Sequence, residues 1–204
     1  MTGTWIKHPV VLEGTAVDLL PLERIHFAEL WNAGSDRRLW EFTPSDGSVR
    51  ERFLELYAAA LTARDDGREY PFVIRHRPTG RLIGSTRFLD IVPGDRKLEI
   101  GWSWLMIEYW GTGINAECKF LLLEYCFGTL HTLRVQLKTD ETNLRSRRAI
   151  EKIGARFEGI HRMDRIKDNG KPRNTAYYSI IGDEWPAVRE QLRKFIDGRQ
   201  SATR

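Results

Sequence analysis

Residues 98–127, LEIGWSWLMIEYWGTGINAECKFLLLEYCF, constrain the fold more than any other stretch of this chain. A β-rich run from Leu98 to Met106 leads to a glycine pair, Gly111 and Gly113, and then to an apolar helical run from Ile114 to Phe127. A strand that breaks at a tight glycine turn and enters a helix leaves several backbone N–H groups at the helix N-terminus without intrahelical partners. Those groups and the helix dipole favour an anion, phosphate above all. Glycine permits positive φ there and lets a ligand approach the backbone without meeting a Cβ. Taken alone, the same glycines also suit an ordinary strand-to-helix turn.

The rest of the chain has to supply a core for this element. At 204 residues, with 41% hydrophobic and 29% charged residues, it is long enough to bury one and has the composition of a soluble globular protein. We expect a single domain over residues 1–204, with a core over about 10–182 and a C-terminal helix and frayed tail over 183–204. No apolar run approaches the roughly 20 residues of a membrane span. The opening MTGTWIKHPVVLEG lacks a signal-peptide pattern, which predicts a cytoplasmic protein. Cys118 and Cys126 lie eight apart on one helix, about 12 Å along its axis, too far for a disulfide; they read as core thiols. The net charge of +4 and pI near 9.2 suit an anionic ligand. Scattered arginines and the lack of a recognised motif argue against nucleic acid, and no His/Cys/carboxylate cluster has metal-ligand spacing, so no metal is expected.

Read in order, Val10 to Leu20 is a strand kinked at Gly14, and Arg24 to Ala33 a helix stopped at Gly34 and Ser35. Trp40, Phe42 and Pro44 lie in a loop, where they either plug a core edge or wall a substrate site. Ser48 and Glu51 form a capping box for a helix with its apolar stripe at Phe53, Leu54, Leu56, Tyr57, Ala60 and Leu61. Tyr70 to His76, Arg81 to Val92 and the strand of Glu99 form an antiparallel meander. Gly128 ends the long helix, and Leu133 to Thr139 is a strand parallel to that of Glu99, because a helix joins them. Asn143 to Ile153 is a short helix, Asn169-Gly170 the turn of a hairpin over residues 155–181, and Trp185 to Ile196 a final helix. The fold class is α/β, a mixed sheet of about seven strands with helices on both faces.

Four blocks now stand in a telling order: EIGW (Glu99 to Trp102), YWGTG (Tyr109 to Gly113), LKTDETNLRS (Leu137 to Ser146) and EKIGARFEG (Glu151 to Gly159). In these the chain resembles the GCN5-related N-acetyltransferases (GNAT), and among them the RimJ/RimL-like branch, over about Val10 to Ile181. The resemblance implies a GNAT-like fold, acetyl-coenzyme A as acyl donor, and direct attack by a primary amine of a protein N-terminus, an amino acid or a small molecule. The family's phosphate loop opens with Arg or Gln; here that position is Glu108, which cannot donate to phosphate and is expected to face solvent. The grip then rests on backbone N–H groups of Tyr109, Trp110, Gly111, Thr112, Gly113 and Ile114.

The resemblance further implies that a backbone N–H at Trp104 or Leu105 faces the thioester oxygen. The run Glu99-Ile100-Gly101-Trp102-Ser103-Trp104-Leu105 is one residue longer than a related pattern, consistent with a bulge; Trp102 and Trp104 would share a face, as core or pocket wall. Asn143 caps the next helix, contacts the donor, or does both. Many relatives place a tyrosine where this chain has Ile150, and Ser146 matches the serine assigned to protonate the leaving thiolate in the RimL-like branch. It shares a helix face with Ala149, Ile150 and Ile153. Glu99 is the candidate base, or else a cross-strand partner for an arginine such as Arg87. Arg145, Arg147 and Arg148 reach the donor's phosphates or form a solvated face. The departures at Glu108 and Ile150 keep a second class open, a non-catalytic coenzyme A-binding or ribosome-associated module; direct RNA binding is a third. Related proteins often form homodimers, which nothing in the sequence decides.

Overall fold

The alternating run between residues 70 and 105 forms the centre of a mixed sheet, because each of its strands has an apolar face to bury. The structure, a computed structural model, describes residues 5–201. Its strands are β1 (Leu12–Glu13), β2 (Val17–Pro21), β3 (Tyr70–His76), β4 (Leu82–Val92), β5 (Lys97–Leu105), β6 (Arg134–Asp140), β7 (Arg156–Ile166) and β8 (Pro172–Ile181), in the order β1-β2-β3-β4-β5-β6-β8-β7. Its helices are α1 (Phe27–Gly34), α2 (Arg50–Asp65), α3 (Ile114–Glu124), α4 (Leu144–Lys152) and α5 (Trp185–Ser201). All neighbouring strands are antiparallel except β5 and β6, which the α3 crossover makes parallel.

Helices cover both faces. On one, residues of α3, α4 and α5 pack over Phe72, Ile83, Ile100, Val135 and Tyr178. On the other, α1 and α2 bring Leu30, Phe53 and Tyr57 onto Val73, Leu82 and Trp104. Both cysteines are buried and free, and burial pushes the Cys118 thiol up to about 12, so they are inert core residues as expected.

Several expectations are corrected. The first strand is a hairpin of β1 and β2 rather than one kinked strand, which makes the count eight. The cause is distant: the buried Glu117 carboxylate of α3 accepts the Thr15 and Ala16 N–H groups and holds the turn. A Cβ on Gly14 would sit 2.3 Å from Glu117 Oε1. Ser48 does not cap α2, whose N-cap is Val49; the Ser48 N–H and hydroxyl both donate to Asp46 Oδ1 instead, at 2.9 and 2.6 Å. The helix after the glycines closes in a π turn over Tyr125–Thr129, so Gly128 lies inside that turn. The last helix runs to Ser201, five residues past Ile196; residues 202–204 of the expected tail lie outside the described residues.

Candidate functional site

The site begins where two strands part. β5 and β6 are paired only over Lys97–Glu99 and Arg134–Gln136. Beyond this β6 stays with β8 and β5 stays with β4, so a wedge opens with a bare backbone edge on each side. Along that edge β5 carries the expected bulge. Arg87 faces Gly101 and Ser85 faces Trp104, so Trp102 and Ser103 together oppose Thr86, and Trp102 takes a φ of 49°. Met106 N–H bonds Ile83 O at 2.8 Å on the β4 side. Strand alternation therefore turns the Trp104 N–H toward β4 and the Leu105 N–H into the wedge. The Leu105 carbonyl faces the same way and accepts the Trp110 indole N–H at 2.8 Å.

The base of the wedge leads into the glycine turn. Gly111 and Gly113 have φ of 76° and 101°, and a Cβ on Gly111 would meet nothing within 4 Å, so the backbone here is open to a ligand. Thr112 Oγ1 donates to Tyr109 O at 2.8 Å, and the Ile114 N–H reaches Thr112 Oγ1 at 3.4 Å. Gly113 is the N-cap of the eleven-residue α3, where Thr112 Oγ1 takes the Ile114 N–H and Gly113 O the Ala116 N–H at 2.9 Å. Glu108 faces solvent, its side chain 56% exposed.

The opposite bank is the start of α4. Asn143 Oδ1 accepts the Ser146 N–H at 3.0 Å, so the capping role of Asn143 is real. Ser146 is half-buried in the first turn. Arg145 lies flat on Trp110, its Cζ 3.4 Å from the ring centroid, and so joins the two banks. Arg147 donates to Tyr178 Oη at 2.9 Å and belongs to the scaffold, whereas Arg148 is exposed.

On the α1–α2 face, Glu99 is 3% exposed. Its Oε2 lies 2.7 Å from Lys138 Nζ and accepts the Gln136 amide at 3.2 Å. Burial outweighs the attraction of Lys138 and holds the Glu99 carboxyl above the usual carboxylate range. Its partner is thus Lys138 and not Arg87, which pairs with Glu69 and lies over the Trp102 and Tyr57 rings. Beyond Lys138, Tyr177 donates to Asp164 Oδ1 and stacks on His161, ring centroids 3.9 Å apart.

A cavity of about 410 Å³ opens nearby, lined in part by Trp40, Glu41, Pro44 and Lys167. The tip of the β7–β8 hairpin closes one end of it: Asp168 N–H donates to Pro44 O at 2.8 Å, and Arg52 Nε donates to Asp168 Oδ2 at 3.2 Å. Of the two readings of the loop aromatics, the core plug is the one observed for Trp40. Trp40 is a core plug, 3% exposed with its indole N–H on Gly34 O, yet its edge also reaches the cavity.

Residues 17–156, which span the parting strands and the glycine-led helix start, match the acetyltransferase (GNAT) domain model. The chain belongs to the GNAT acetyltransferase family. Two Bacillus subtilis (strain 168) proteins are similar to it. YoaA, an N-acetyltransferase by name, is 32% identical over 108 residues, 53% of this chain and 60% of that protein. YdaF, provisionally named a ribosomal N-acetyltransferase, is 36% identical over 107 residues, 52% of this chain and 57% of that one. The chain therefore spans about three fifths of the length of these relatives. Among solved structures, a GCN5-related N-acetyltransferase from Brucella melitensis superposes with a TM-score of 0.85 at 26% identity, covering 93% of this chain and 86% of that one. Mycobacterium smegmatis RimJ in complex with CoA-disulfide shares the fold at a TM-score of 0.77 and 22% identity, over 93% and 92% of the two chains.

The structure brings Leu105, the Trp110 ring, Gly111, Thr112, Gly113, Ile114 and Asn143 around one wedge, but the Tyr109 and Trp110 N–H groups, expected to grip a phosphate, donate to Met106 O and Ile107 O instead, at 3.0 Å each. Trp104 is instead a core residue, its indole N–H on Tyr57 Oη at 2.8 Å, and Tyr109 rests on His76 with ring centroids 5.1 Å apart. No hydrogen bond among the described residues links Ser146 to Glu99. Sequence reasoning missed Lys138, Ser103 and Lys119. Only Lys119 left a signal, a charge on the buried stripe it shares with Ala116, Leu122, Leu123 and Cys126.

Proposed function

We propose that this chain is an acetyl-coenzyme A-dependent N-acetyltransferase acting on a primary amine of a protein N-terminus, an amino acid or a small molecule. The observation that carries this is the parting of β5 from β6 next to the glycine-led start of α3. The residues fit such a donor. Bare strand edges suit its amides, and a glycine-led helix N-terminus suits its diphosphate.

The bound donor supplies an acyl carbonyl already activated as a thioester. The Leu105 N–H is aimed into the wedge, where one fixed donor to an acyl oxygen lowers a barrier by about 3 kcal/mol. Glu99 faces the other side of the sheet from α3 and takes the proton of the incoming amine directly or through water. Its raised pKa suits it to that work near neutral pH. Ser146, at the start of α4, protonates the leaving sulfur; Asn143 contacts the donor as well as capping the helix, and Arg148 reaches its adenosine phosphates. The acceptor occupies the cavity between the α1–α2 loop and the hairpin tip. Among the described residues no helix is long and apolar enough to cross a membrane and no group of metal ligands forms. The reading takes the enzyme as cytoplasmic, without a metal, and as a homodimer.

Calorimetry with coenzyme A and acetyl-coenzyme A, together with thiol release over a panel of amines, tests it. Donor binding with turnover on at least one amine is the expected result. Donor binding with no turnover on any amine favours the non-catalytic module, and no binding of either form overturns the whole reading.

A further inference from the structure

Lys119 is a buried cation, 6% exposed, with no carboxylate within ion-pair distance among the described residues. Its side chain runs from α3 through apolar surroundings and ends on Ser103 Oγ. That oxygen lies 2.7 Å from Thr86 Oγ1 and 3.3 Å from Gly101 O. Thr86 and Ser103 are the residues on either side of the β5 bulge, in the stretch that β6 has left. Lys119, Ser103 and Thr86 thus converge on the α3 side of the sheet, behind the strand edge that lines the wedge.

Burying an ammonium group without a counter-charge in contact costs several kcal/mol. The charged groups around α3 are committed elsewhere. Glu117 holds the Thr15 and Ala16 N–H groups, Asp18 of β2 pairs with Arg75 and Arg77, and Glu124 pairs with Arg189 of α5. Glu99 of β5 acts on Lys119 only at longer range, and the adjacent Cys118 thiol is kept neutral by burial. An isolated cation maintained at that cost beside an opening marks a functional position more than a structural one.

We propose that Lys119 is a positioning residue for the acyl donor: through Ser103 it fixes the bulge that aims the Leu105 N–H, and its charge stabilises the negative charge that grows on the thioester oxygen and sulfur during transfer. This rests on the acetyl-transfer reading above. Burial lowers the Lys119 amine to about 8, against the longer-range pull of Glu99. The charge is therefore present at neutral pH and lost as the pH rises through 8 to 9.

The test uses the thiolate absorbance of bound coenzyme A, followed against pH, with calorimetry for affinity. In the wild type the bound thiol should ionise at a lower pH than the free one. In Lys119→Met it should return to the free value or rise above it. Lys119→Arg carries a charge that does not titrate in this range. It should keep the lowered thiol value, and its turnover should no longer fall between pH 8 and 9. Failure of the wild type to bind coenzyme A sinks the acetyl-transfer reading itself. Binding with the same thiol value in wild type and Lys119→Met overturns this inference alone. So does a Lys119→Arg variant that behaves like Lys119→Met, which makes the role one of packing, or an acetyl group found on Lys119 by mass spectrometry, which makes the amine a nucleophile.

Discussion

Glu99 Oε2 and Lys138 Nζ lie 2.7 Å apart across the point where β5 and β6 separate, Lys138 standing two residues past Gln136, the last residue of β6 that pairs with β5. Burial raises the Glu99 carboxyl, and Lys138 pulls it back toward the carboxylate.

Removing that pull should be visible in the rate. Lys138→Met is expected to move the acid limb of kcat/KM to higher pH, because the attraction that favours the carboxylate is lost. Glu99→Gln should lower turnover by about 10²–10⁴-fold. A pH–rate profile checks both, and an acid limb that stays in place in Lys138→Met removes Glu99 from the role of base.

Lys119 makes a prediction about stability. Its amine titrates at about 8 in the folded chain against an ordinary lysine value of 10.5. Below pH 8 both folded and unfolded chains hold the proton, and the full cost of the buried charge is present. Between 8 and 10.5 the folded chain releases it first, so that cost is relieved as pH rises. Lys119→Met should therefore be more stable than wild type at neutral pH, by up to about 3 kcal/mol, with the gap closing toward pH 10. Urea unfolding at about pH 7 and about pH 10 measures this, and a gap that does not change with pH contradicts it.

Gly113 sits at φ 101°, where an L-residue is strained. Gly113→Ala should cost about 1–2 kcal/mol and tilt the first N–H groups of α3. Coenzyme A affinity should fall by at least about tenfold, which calorimetry reads directly. Undiminished affinity would show that the diphosphate is not held there.

Ser146→Ala tests the acid. Its backbone N–H, not its hydroxyl, makes the capping bond to Asn143, so the helix start survives the change. Turnover should drop by about 10²-fold while donor affinity holds. An unchanged rate takes Ser146 out of the mechanism.

What the sequence made legible was local. The glycine turn, the meander, the Asn143 cap and the Asn169-Gly170 hairpin each depend on neighbours within a few residues, and each is present. The splitting of the first strand depends on Glu117, about a hundred residues later, and no local pattern announces it. The partner of Glu99 was misread for the same reason. Arg87 lies on an adjacent strand in sequence, but Lys138 lies on a strand brought alongside by a crossover, and the pairing register decides between them. Ser48 failed as a cap because Asp46, two residues away, offered its N–H and hydroxyl a carboxylate oxygen. Lys119 was visible as a charge on an apolar stripe, yet nothing in the sequence pointed to the Ser103 hydroxyl it reaches.

The hairpin tip is pinned to the α1–α2 loop by Asp168 on Pro44 and Arg52. Two walls of the cavity, drawn from segments more than a hundred residues apart, consequently shift as one body. A redesign of substrate preference that alters residues 41–46 alone would prise that joint open, so any successful change of acceptor should require matched edits at 167–169.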